Sequence, residues 1–180
     1  MTERNDRIDD GIGTYDVVLL AEQAMSDEGA AEVVALHDEI ADQVVYHVLI
    51  PVEDAAARIE AAMGSLATGE VMTAPAVTLS ETDLAEVRRE CLEHSQHQLD
   101  LAVARLQAAG VEARGTVIHE HPIDALATAV AAHDGREAII LTRPHVVAEF
   151  FHVDWTSRAR RKIGVPVLHL LEHEQADDTP

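Results

Sequence analysis

Histidine and carboxylate are the residue types here that could do chemistry near neutral pH, and several cluster in the second half of the chain. His119, Glu120 and His121 lie together, and His145, His152 and Asp154 follow within a few dozen residues. Imidazole is a neutral metal ligand and an acid–base group near pH 7. Two or three imidazoles with a carboxylate suit Zn²⁺ or a similar divalent ion. If an extended strand ran through them, His119 and His121 would point the same way. His119, His121 and His145 are therefore the candidate metal ligands, with Asp154 beside them. Solvent-facing or hydrogen-bonded histidines are the plain alternative.

Other spacings carry less. Glu90, His94 and His97 recur at helical intervals and could grip a surface metal, or form the wet stripe opposite Leu84, Val87 and Cys91. His169-Leu170-Leu171-Glu172-His173 spells the HxxEH of certain zinc peptidases. That motif needs a helix, whereas Pro166 and the apolar run mark a strand. Gly11-Ile12-Gly13 precedes a strand instead of following one, so it is no dinucleotide fingerprint. No GxxxxGK with Ser or Thr, and no GxSxG, occurs. Cys91, the single cysteine, reads as a small buried hydrophobe and cannot form an internal disulfide.

The elements that must position these groups alternate short apolar runs with longer amphipathic ones, the pattern of βαβ units and a parallel sheet. Tyr15 to Ala21 (YDVVLLA) and Val44 to Ile50 (VVYHVLI) read as strands covered on both faces. Between them Ser26, Asp27 and Glu28 open a helix whose inner face carries Ala30, Val33, His37 and Ile40. Residues 53–82 read as a long connection with a short helix near 55–63. A long helix then runs to Ala109 and stops at Gly110. Val111 to His119 alternates apolar with polar residues, which suits an edge strand. Pro122 opens the next helix, with Ile123, Leu126 and Val130 inward and Gly135 closing it. Glu137 to Thr142 (EAIILT) is the fourth strand. A loop over 143–153, a basic helix capped by Asp154, and Val165 to Leu171 (VPVLHLL) complete an open, doubly wound α/β sheet of five strands with helices on both faces. The expected organisation is a flexible segment 1–14, one domain over 15–172 and an acidic tail 173–180.

EAIILT, its loop, the basic helix and GVPVLHLL follow one another in an order and spacing that resemble the last third of the universal stress protein family. HPIDALATAVAAHDGREAIIL resembles the segment before it. The resemblance spans 15–172 and implies the sheet order 3-2-1-4-5, which agrees with a half-wet third strand at an edge. It also implies a homodimer through the fifth strand (Val165 to Leu171), whose apolar character fits an edge that another chain covers.

Family members that bind ATP carry GxxG after strand four, a spacer, and then glycine with Ser or Thr; backbone amides there cradle phosphate. Aligned on the strand, this chain has Thr142, Arg143, Pro144 and His145, so Thr142 and His145 stand where two glycines belong. Val153 and Asp154 stand where the third glycine and its hydroxyl partner belong. A carboxylate there repels phosphate. Phe150, Phe151 and Trp155 crowd the same loop, and Glu22 and Gln23 replace the family's aspartate after strand one. Thr142, Arg143, His145 and Asp154 thus form a degenerate nucleotide loop. ATP held in the family's manner is not expected, no other cofactor is implied, and a divalent metal is the one the histidines could take. A nucleotide-binding member with a degenerate loop is the remaining alternative.

Composition excludes other classes. The net charge is −20, from 33 acidic against 13 basic residues, which repels nucleic acid and anionic lipid. No apolar run approaches the ~18–20 residues of a membrane span, and the polar start MTERNDRIDDGIG carries no secretory signal. The expectation is a cytoplasmic, non-enzymatic stress or regulatory module whose small-molecule ligand the sequence does not name.

Overall fold

The computed structural model describes residues 13–53, 81–142 and 161–172. Their elements are β1 (Thr14–Ala21), α1 (Asp27–Ala35), β2 (Gln43–Pro51), α2 (Glu81–Ala108), β3 (Glu112–Ile118), α3 (Pro122–Ala132), β4 (Glu137–Thr142) and β5 (Val167–Leu171). The strands form one sheet in the order β3-β2-β1-β4-β5, with every pairing parallel. The order implied by the resemblance is the order found.

Period-two alternation divides the core. Val17, Leu19, Tyr46, Val48, Ile50, Ile139 and Leu141 face one side, packed with Val33 of α1 and Leu99, Ala102 and Leu106 of α2. Val18, Leu20, Leu49, Ala138 and Ile140 face the other, packed with Leu126 and Val130 of α3 and with Ile163. Both faces of the central strands are therefore dry, which is why β1 and β4 read as continuous apolar runs. β3 behaves as the edge its composition predicts, with Glu112, Arg114 and Thr116 exposed and Ala113 and Ile118 buried. The other edge, β5, leaves Leu168 and Leu171 exposed.

Strand boundaries shift by one or two residues. β2 runs through Pro51, which pairs with Ile118, and the Val52 amide carries on to the Ile118 carbonyl at 2.9 Å. β5 begins at Val167, not Val165, although the Pro166 carbonyl already accepts from the Ala138 amide. α1 starts where Ser26 predicts: its side chain accepts from the Gly29 amide at 3.0 Å. Ser26→Ala is expected to lower stability by about 1 kcal/mol in urea unfolding, through loss of that cap. α1 ends at Ala35, earlier than the apolar spacing through Ile40 implies. His37 and Ile40 instead belong to turns, with the Ile40 amide bonded to the His37 carbonyl. α2 ends as expected, with Gly110 at φ +96°, a left-handed position that favours glycine. The expected short helix at 55–63, the 143–153 loop, the segment 1–12 and the acidic tail lie outside the described residues.

Candidate functional site

At the carboxyl edge of the sheet, the ends of β1, β4 and β5 are tied to one another by the chain's own polar groups. Thr142, the last residue of β4, is buried; its hydroxyl meets His169 Nε2 of β5 at 2.8 Å. Burial pushes the His169 imidazole below its ordinary value. The Thr142 carbonyl accepts from the Glu172 amide, and the Glu172 carboxylate then reaches across β4 to the Ser26 amide at 2.6 Å. That amide lies at the head of α1, where the helix dipole favours a negative group. Two further backbone groups of the β1–α1 turn are occupied as well. The Ala24 amide donates to Gln98 Oε1 of α2 at 3.0 Å. Arg105 of α2 donates to the Met25 carbonyl and pairs with Asp27.

Of the residues singled out from sequence, Thr142 is thus a buried strut on this edge, while Arg143, His145, His152, Asp154, Phe150, Phe151 and Trp155 lie outside the described residues. His119 and His121 are both exposed. β3 stops at Ile118, so the alternation that would aim them together ends before either; His121 is the N-cap residue of α3. Glu90, His94 and His97 are exposed on α2. Among the described residues, no group of three or more His, Cys, Asp or Glu side chains is placed to hold a metal ion. His169 lies in a strand, as expected, so the HxxEH spelling lacks its helix. Cys91 is buried.

Among the described residues, titratable groups also gather toward the opposite, amino edge, in two clusters divided by β1. On the α1 side, His37 Nε2 meets Glu137 Oε1 at 2.7 Å and His37 Nδ1 meets the Tyr46 hydroxyl at 2.6 Å. Tyr46 also donates to the Val33 carbonyl, and Tyr15 donates to Glu137. Burial, then the nearby carboxylates of Glu137 and Asp38, raises the Tyr46 phenol far above its ordinary value. On the α3 side, His47 Nε2 meets Asp16 Oδ1 at 2.7 Å. The His133 ring stacks on His47, with centroids 3.8 Å apart and planes 17° from parallel. Burial pushes the Asp16 carboxyl up, but the hydrogen bonds from His47 and Thr14, with the charges of His47 and Arg114, outweigh it and hold it below its usual range.

Neither cluster is among the sequence candidates, which lie toward the carboxyl edge. A signal was present: His47 stands inside the apolar run VVYHVLI, and a polar side chain in a strand covered on both faces needs a partner.

No family model matches the chain, and no curated protein matches it by sequence. Solved structures do match in fold. The universal stress protein UspA from Lactobacillus plantarum is 14% identical, with a TM-score of 0.53, over 88% of this chain and 99% of that one. The hypothetical protein MJ0577 is 12% identical, with a TM-score of 0.55, over 89% and 97%. A universal stress protein family protein from Arabidopsis thaliana, solved with AMP bound, is 14% identical, with a TM-score of 0.49, over 92% and 95%. The chain has the universal stress protein fold. Among the described residues, no helix is long and apolar enough to cross a membrane.

Proposed function

We propose that the chain is a divergent universal stress protein: a non-enzymatic, homodimeric module that acts through a partner or a small ligand and does not hold ATP in the family's phosphate loop. The observation that carries this reading is the Glu172 carboxylate on the Ser26 amide, 2.6 Å away. A group that would otherwise greet an anion beside β1 and β4 already has one from the chain itself. The sequence supports the same view, with Thr142 and His145 in glycine places and Asp154 in a hydroxyl's place. Exposed Leu168 and Leu171 on the β5 edge support pairing with a second copy.

Isothermal titration of the full chain with ATP–Mg²⁺ tests the first part. No heat of micromolar binding is expected from the wild type or from Glu172→Gln, because relieving one carboxylate does not restore the missing glycines. Micromolar binding by the wild type would overturn the reading in favour of a nucleotide-binding protein with a degenerate loop. For the dimer, sedimentation should show two copies, and Leu168→Glu with Leu171→Glu should give one. A wild-type monomer at tens of micromolar would refute it.

A further inference from the structure

We propose that the His47–His133 stack is an acid-released latch that fastens the end of α3 and the α3–β4 turn to the sheet. The two rings come from distant parts of the chain. His47 is buried in the middle of β2, with its Nε2 against Asp16 of β1. His133 is the C-cap residue of α3 and is itself exposed. Beyond it the chain makes a constrained turn. Asp134 has φ +52°, the one non-glycine among the described residues at positive φ. The Gly135 amide returns to the Val130 carbonyl at 2.8 Å, and the Arg136 amide donates to the Asp16 carbonyl at 2.8 Å. Asp16 therefore anchors both halves of the device, His47 by its side chain and the turn by its backbone.

The charges around the stack decide what a proton does there. β1 offers Asp16, whose other oxygen accepts from Thr14. β3 offers Arg114, which is paired with Glu112 at 2.7 Å. β2 offers His47, and the turn continues into Arg136. One positive charge on the two stacked rings is balanced by Asp16, but a second is not, and Arg114 adds to the repulsion. Burial, His47 and Arg114 together push the His133 imidazole below its ordinary value of 6.5, against the pull of Asp16. They do so although the C-terminal end of a helix normally favours a cation. A proton on His133 is thus accommodated best when its ring leaves the stack, and His133 is an exposed residue.

The folded chain binds this proton less readily than the unfolded chain, so the stabilisation is complete above about pH 6.5 and declines as pH falls toward the lower folded midpoint. Asp16, depressed from 3.8, loses its contribution only at more acid pH. The two windows are separate.

The test uses the full chain in two measurements. In the wild type, NMR titration of the histidine rings should place the His133 midpoint below 6.5, with the amides of 133–136 moving at that same midpoint. Thermal melting should then fall between pH 7.5 and 5.5, and His133→Phe, which stacks but does not titrate, should show a smaller fall. His133→Gln, lacking both ring and charge, should melt lower than wild type at pH 7.5 and lose the same acid-dependent part. A His133 midpoint at or above 6.5, amides that do not follow the ring, or equal falls in wild type and both variants would each overturn the latch.

Discussion

Gly115→Ala is expected to lower the stability of the chain by about 1–3 kcal/mol, the usual cost of forcing a methyl group into a filled core. The reason is the closeness of α2 to β3. A Cβ at Gly115 would lie 2.4 Å from Leu99 Cδ1 and 3.1 Å from its Cγ, and 3.0 Å from the Val48 carbonyl of β2. Leu99 is itself buried among Ala102, Leu106 and the β2 side chains, so its tip cannot withdraw freely. The Val48 oxygen is backbone and belongs to the β2–β3 ladder, in which Val48 pairs with Gly115. Urea unfolding measures the loss, and Gly115→Val should cost more than Gly115→Ala. Leu99→Ala alone should cost about 2–5 kcal/mol by leaving a cavity. Because the two changes share one space, the double variant should cost clearly less than their sum. Additive losses, or a neutral Gly115→Ala, would mean that α2 does not press on β3 as described.

The same contact explains part of what could be read from the sequence. Along β3, Val111, Ala113, Gly115 and Val117 form the inner row by alternation alone, and Glu112, Arg114 and Thr116 the wet row. That pattern places the strand at an edge without any knowledge of its neighbours. EAIILT is legible for the opposite reason, since Ala138, Ile139, Ile140 and Leu141 put apolar side chains on both faces, as a strand inside a covered sheet requires. Propensity and spacing failed where a tertiary bond overrode them. Ala30, Val33, His37 and Ile40 keep a helical period, yet the helix ends at Ala35 and His37 turns to Glu137, one hundred residues on. No local signal carries such a partner. The candidate site suffered in the same way. Thr142 was legible as an element end, but the carboxylate that faces the head of α1 comes from Glu172, beyond a whole further strand. The amino-edge clusters join Asp16 to His47 and His47 to His133, pairs that only the strand order 3-2-1-4-5 brings together.

His37→Leu should cost about 2–4 kcal/mol, the largest loss expected from any single polar side chain here. His37 joins three elements at once. Its side chain is 5% exposed, with Nε2 on the Glu137 carboxylate at the start of β4 and Nδ1 on the Tyr46 hydroxyl of β2. Leucine in its place leaves the Glu137 carboxylate, itself only 22% exposed, with Tyr15 as its remaining hydrogen-bond donor in this network. Some water can still reach that carboxylate, which keeps the expected cost below that of a fully sealed charge. Tyr46 is less affected, because its hydroxyl keeps the Val33 carbonyl as acceptor; Tyr46→Phe should accordingly cost only about 1–2 kcal/mol. The decisive comparison is His37→Leu with Glu137→Leu. Removing both partners abolishes the stranded charge, so the double variant should be more stable than His37→Leu alone. A double variant that loses the sum of both single costs would show that each group is held by something other than its partner. Spectrophotometric titration offers an independent check in the wild type. With burial and two carboxylates opposing its ionisation, Tyr46 should stay protonated until alkaline unfolding exposes it, and an absorbance step from Tyr46 in the intact fold near the ordinary phenol value would contradict the network.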